Sequence, residues 1–185
     1  MNMMDSTATR KPPASRLEGQ APLFVGYLIA ALIFIGDVVS KYFVHEFTPY
    51  GWNQPVTGFF NLVHVWNLGA AFSFLADAGG WQRMFFVAIA AAASLWLLFM
   101  LRKPMRFIEQ LAFSLILGGA LGNGLDRAVR GYVVDFLDFY WRGWHWPAFN
   151  IADIGIVCGA GLMIFAAFKP APVHVESRPT PRAPG

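Results

Sequence analysis

The sequence predicts an all-α integral membrane protein of four transmembrane helices, with a small extracytoplasmic sheet and a short interfacial helix. Three observations carry this. Of 185 residues, 56% are hydrophobic and 14% charged, whereas an ordinary soluble domain is about 25% charged. Four stretches are apolar over the length of about 20 residues that a hydrocarbon core requires. The longer connections between them are rich in aromatic and β-branched residues, which favour strands over loops. The net charge of +3 comes from Lys and Arg scattered between apolar runs with no basic stripe, so a nucleic-acid partner is excluded. The single cysteine, Cys158, allows no internal disulfide, and CxxC metal patterns are absent. It is read as a small buried filler in the last helix.

Taken in order, residues 1–20 are rich in Pro, Ser, Thr and charge and form a disordered tail. The apolar run that follows outlasts a signal-peptide core and meets no small-residue cleavage site, so it is expected to be retained as the first helix, about Leu23 to Val44. The second helix runs from about Met84 to Leu101, the third from about Phe107 to Leu125 and the fourth from about Phe149 to Phe168. They make one membrane domain over 21–169, followed by a second disordered tail, 170–185. Arg10, Lys11 and Arg16, then Arg102, Lys103 and Arg106, then Lys169, Arg178 and Arg182 mark three flanks of one sign. Four spans place all three on the cytoplasmic side, with both termini, and turn the connections 45–83 and 127–147 outward.

Within the first connection, Val56 to Asn67 reads as one or two short strands, and Phe72 to Asp77 as a short helix lying in the interface. Helix two carries nothing more polar than Ser94 and reads as packing surface. The segment Tyr132 to Tyr140 alternates with period two, which turns Asp135 and Asp138 to opposite faces and leaves one of them for the cleft that Asp153 faces. Tyr140, Trp141, Trp144 and Trp146 read as an interfacial aromatic belt.

The charged residues are the informative ones, because an ionisable group at membrane depth costs roughly 2.5 to 3.5 kcal/mol on insertion scales. Asp37 and Lys41 are four apart on helix one, in reach of an ion pair that either fixes the helix ends or orients a site. Asn123, Asp126 and Arg127 share one face of helix three, where Gly118, Gly119, Gly122 and Gly124 allow close approach. Asn123 alone could be interhelical glue, and Asp126 with Arg127 an interfacial charge pair. Asn150 and Asp153 share a face of helix four. Carboxylates from different elements at a half-wet surface can bind a cation, relay protons in a proton-coupled transporter, or share a proton and activate water as an aspartic peptidase does. No Ser/His/Asp or Cys/His arrangement competes, since His45, His64 and His145 have no evident nucleophile beside them, and no metal-ligand set or cofactor motif is present. Spacing leaves peptidase and transporter unresolved.

Five motifs bear on that choice: Asp37-Val38-Val39-Ser40-Lys41, Asn67-Leu68-Gly69-Ala70-Ala71-Phe72, Gly122-Asn123-Gly124-Leu125-Asp126-Arg127, Gly131-Tyr132-Val133-Val134-Asp135-Phe136 and Phe149-Asn150-Ile151-Ala152-Asp153. In this order they resemble those of the bacterial lipoprotein signal peptidases (signal peptidase II), covering about 23 to 168. The resemblance implies a four-helix inner-membrane aspartic peptidase with an outer β-cradle, acting as a monomer among membrane lipids. It would cut diacylglyceryl-modified prolipoproteins before the lipidated cysteine and be inhibited by the cyclic peptide globomycin. It implies Asp135 and Asp153 as the catalytic dyad. Asn67, Asn123, Arg127 and Asn150 would hold substrate or orient the dyad, with Asp37, Lys41, Asp126 and Gly69 in supporting positions and no cofactor.

Overall fold

The structure, a computed structural model, describes residues 22–69 and 80–168. The tails and the interfacial helix expected at Phe72 to Asp77 lie outside the described residues. Four helices, α1 (Leu23–Phe47), α2 (Trp81–Met100), α3 (Phe107–Val129) and α4 (Ile151–Ala167), alternate with four strands, β1 (Asn53–Pro55), β2 (Phe60–Asn67), β3 (Val133–Trp141) and β4 (Trp144–His145). Each helix falls within four residues of its expected limits. Two of them, α1 and α2, with mean hydropathies of 2.2 and 2.0 over their most apolar windows, are long and apolar enough to cross a membrane, and α4 is a shorter apolar helix of 17 residues.

The central helix is α3, which packs against each of the other three. Its start follows from local chemistry: Pro104 blocks helical backbone before it, and Glu109 folds back to accept from the Arg106 amide at 3.1 Å. Arg106 also reaches the Ala166 carbonyl at 3.1 Å, tying the start of α3 to the end of α4. A core of Ala30, Leu97, Leu101, Phe113 and Leu117 joins α1, α2 and α3 at this end of the bundle. Away from α3 the helices present large apolar side chains outward, including Leu32, Leu95 and Val157 at 61%, 69% and 70% exposure. Apolar surface spread this widely over the helices suits hydrocarbon rather than water.

At the other end, α1, α3 and α4 approach so closely that two glycines of α3 have no room for a side chain. A Cβ on Gly119 would meet the Ala152 carbonyl oxygen, and one on Gly122 would meet the Asp37 carboxylate. Cys158, expected as buried filler, is instead exposed on α4. That helix is apolar on every side, so its composition gave no direction for its buried face.

The strands form one antiparallel sheet in the order β1-β2-β3-β4. Pro55 sits on the edge strand β1, where a missing N–H is tolerated. The β3–β4 hairpin turns through Arg142 and Gly143, at φ +50° and +82°, as a two-residue turn of this hand requires. It carries the exposed Trp141 and Trp144. Between β2 and β3 the register pairs Asn61 with Asp138 and Leu62 with Leu137. It then slips, so that Val65 faces Asp135 and Asn67 faces Val133. Val63 and His64 therefore oppose the single residue Phe136, a β-bulge. Strict alternation would put Asn61 and Asn67, six apart, on one face. The bulge sends Asn61 to the face of Asp138 and Asn67 to the face of Asp135.

Replacing Gly122 by Ala should destabilise the protein by about 1–3 kcal/mol, the usual cost of overpacking. Thermal unfolding of the detergent-solubilised variant against wild type checks this.

Candidate active site

The end of the bundle beside the sheet collects the polar residues of all three tightly packed helices. On α1, Asp37 and Lys41 are 0% and 1% exposed and pair at 2.7 Å. The expected i, i+4 pair is therefore present, and it is fully buried. Lys41 Nζ also donates to Asn123 Oδ1 at 2.7 Å and lies 3.4 Å from Asp126 Oδ2. The other oxygen of Asp37 accepts from the Ala152 amide at 2.8 Å, in the first turn of α4. The Asp126 carboxylate also accepts from the Val134 amide at 3.1 Å and pairs with Arg130. Its partners are thus Lys41 and Arg130, one helical turn on, rather than an Arg127 charge pair.

Asp153 is the third residue of α4. Asn150 caps that helix by accepting from the Asp153 amide at 3.0 Å, and the Asp153 carboxylate answers by accepting from the Asn150 amide at 3.2 Å. This reciprocal capping box fixes the carboxylate at a helix N-terminus, where the dipole favours negative charge. Its second oxygen accepts from Asn123 Nδ2 at 2.8 Å.

Asp135 comes from the bulged sheet and is 2% exposed. Its oxygens accept from Asn150 Nδ2 at 2.6 Å and Asn67 Nδ2 at 3.0 Å. Burial, with the Asp153 charge second, pushes its carboxyl up to about 7, against the two amide hydrogen bonds that favour its ionised form. Asn150 Nδ2 also lies 3.2 Å from Asn123 Oδ1, so one chain of amides connects Asp135 to Asp153.

Both carboxylates line one cleft of about 770 Å³, together with Asn67, Asn123 and Arg127. Its walls are otherwise apolar: Val65, Trp66, Leu68 and Val133 on the sheet side, Trp146 to Phe149 above, and Ile154, Val157 and Cys158 along α4. Arg127 Nη2 donates to the Gly69 carbonyl at 2.7 Å, and Gly69 N donates to Asn67 Oδ1 at 3.0 Å. Every site residue named from the sequence is therefore in the cleft or within two hydrogen bonds of it. Asp138 is not in the cleft; it is buried on the opposite face of β3, as alternation requires. The sequence reading missed Arg83, which donates to the Arg127 and Ala128 carbonyls at 3.0 and 2.7 Å and ties the start of α2 to the end of α3. A basic residue capping another helix's last carbonyls leaves no periodic signal. Arg130 was legible as i+4 from Asp126.

A family model for signal peptidase (SPase) II matches residues 29–169. The chain belongs to the signal peptidase II family. It is accordingly a membrane-embedded aspartic peptidase, which decides the choice that spacing left open against the transporter. The lipoprotein signal peptidase of Serratia marcescens is 48% identical over 151 residues, 82% of this chain and 89% of its own length. That of Cupriavidus necator is 50% identical over 168 residues, 87% and 94% of the two chains. Two solved structures of a bacterial membrane enzyme, obtained by the in meso method, superpose with TM-scores of 0.73 and 0.71 at 32% identity. They cover 82% and 84% of this chain, and 92% and 99% of theirs.

Removing Lys41 leaves the buried Asp37 carboxylate without a cation and Asp126 with Arg130 alone. Lys41→Met should therefore destabilise this signal peptidase II chain by about 3–5 kcal/mol, the cost of breaking a buried ion pair from one side. Denaturant unfolding in detergent measures it.

Proposed function

We propose that this signal peptidase II removes the signal peptide from diacylglyceryl-modified prolipoproteins, cutting before the lipidated cysteine, with Asp135 and Asp153 as the catalytic dyad. The observation that carries the reading is that the two carboxylates share one apolar cleft in unlike environments, one buried and disposed to hold a proton, the other at a helix N-terminus. Environments that push two carboxyls apart assign acid and base. Asp153 takes a proton from water as its oxygen attacks the amide carbon, and Asp135 gives its proton to the carbonyl oxygen, leaving a neutral diol. Collapse moves the proton on Asp153 to the departing nitrogen, while a diol hydroxyl returns one to Asp135. The dyad ends as it began, with one proton. Asn67 and Asn150 hold Asp135, Asn123 holds Asp153, and Arg127 with Gly69 borders the peptide path; Asp37, Lys41 and Asp126 support from beneath.

The topology proposed with this is four spans, α1 to α4, in the bacterial inner membrane. Both termini are cytoplasmic and the sheet is at the outer face, because Arg102, Lys103 and Arg106 flank the end of the bundle opposite the cleft. The dyad then lies at the depth where a signal helix ends and a lipidated cysteine begins. The apolar lining of the cleft suits the signal peptide, and water reaches the dyad from the surface.

Asp135→Asn and Asp153→Asn should each lower turnover by about 10²- to 10⁴-fold, the usual worth of a positioned acid or base, with folding retained. Asp138→Asn should keep its turnover. Because Asp135 holds its proton below about 7 and loses it above, kcat/KM should fall as pH rises through that value, the apparent pKa belonging to the pair. A rate that climbs through this range would reverse the assignment of the acid.

Lipid on the substrate cysteine should raise the cleavage rate by holding the scissile bond at the depth of the dyad. Lipidated and unlipidated substrates compared at equal membrane concentration test this; equal rates would leave a general membrane peptidase.

A further inference from the structure

The strand β3 carries a second aspartate that the chemistry above does not use, and the protein spends buried polar groups on it. Asp138 is 5% exposed and so is Asn61, its partner across the sheet. Asn61 Nδ2 donates to Asp138 Oδ2 at 2.8 Å, and His145 Nδ1 lies 2.9 Å from both oxygens. A carboxylate only accepts, so Nδ1 carries the hydrogen. The His145 ring stacks on Tyr140 at 5.1 Å, and Tyr140 in turn reaches the Thr57 carbonyl at 3.1 Å, so the imidazole is fixed in plane as well as at its nitrogen.

This arrangement repeats that around Asp135. Each aspartate is held between an asparagine of β2 and a side chain of the segment 145–150: Asp135 between Asn67 and Asn150, Asp138 between Asn61 and His145. The segment runs back along β3 as a strap. Trp146 N donates to the Phe139 carbonyl at 2.8 Å and Phe149 N to the Leu137 carbonyl at 3.0 Å, while Pro147 has no amide to offer. Its middle, Trp146 to Phe149, is one wall of the cleft, and its end is the cap that sets Asp153. The wall is thus tied to β3 by main-chain hydrogen bonds at Trp146 and Phe149 and flanked by two aspartate anchors, one inside the cleft and one outside it.

We propose that Asn61, Asp138 and His145 are positioning residues for the peptidase: they fix the outer end of the strap and thereby set the width of the cleft where Trp146 to Phe149 meet the substrate. The inference rests on the peptidase reading given above. It places the effect of His145 in substrate binding, since the near end of the strap, at Asn150, keeps its own hydrogen bonds to the dyad.

The test is steady-state cleavage of a diacylglyceryl-modified prolipoprotein by the full chain in detergent, for wild type, H145A, H145N, D138N and the double variant D138N/H145A. H145A should raise KM about three- to tenfold, the loss of one ordinary hydrogen bond, with kcat within about twofold. H145N places an amide donor where Nδ1 stands and should restore KM. The double variant should be no worse than the poorer single one, since the two residues act as one unit. A KM unchanged in H145A, or a raised KM that H145N leaves in place, overturns the proposal. If wild type itself fails to cleave, the peptidase reading fails instead.

Discussion

The buried ammonium of Lys41 is the constraint on which the site depends. A charge taken this far from water costs several kcal/mol unless acceptors surround it, and an ammonium offers donors only. Asp37, Asn123 Oδ1 and Asp126 supply the acceptors, one from α1 and two from α3. The requirement reaches further than the pairings themselves. With its oxygen held against Lys41, the Asn123 amide cannot flip, because a flip would set its NH2 group against the ammonium. Its Nδ2 must point to Asp153. One of the two hydrogen bonds that orient this cleft carboxylate is therefore decided by a charge on another helix that never touches it.

The same requirement explains the close packing. Asp37 serves Lys41 with one oxygen and the Ala152 amide with the other, so α1 and α4 are held at a fixed distance by a single carboxylate. Gly122 of α3 passes over that carboxylate with no side chain to obstruct it. At this end a shared carboxylate, together with glycines packed against backbone, sets how these three helices meet. The opposite end of the bundle, around Leu97, Leu101 and Leu117, is packed in the ordinary apolar way.

Much of this was legible in the sequence because it is local or periodic. The Asp37–Lys41 pair and the Asn123 face follow from helical spacing, and the separation of Asp135 from Asp138 from strand alternation. What was not legible depends on partners far apart in the chain. Asp126 chose Lys41 and Arg130 over its neighbour Arg127 because α1 arrives on that side. Arg83 caps α3 from another helix. Cys158 was misplaced because in lipid an apolar face is as good outside as inside. The extra residue in β2 is likewise invisible until its partner strand, some 70 positions later, shows which residues it must oppose.

That extra residue makes the chain length between Asn61 and Asn67 a matter of parity. If β2 paired with β3 as a regular strand with all its residues kept, the even spacing would return both asparagines to the same side. One of the two aspartates of β3 would then lose its amide partner while every residue type stayed available. Removing one residue between them would leave an odd spacing, and a regular strand would then serve both faces without the bulge. In this stretch it is the bulge, as much as the identity of the two asparagines, that lets the sheet serve two opposite faces.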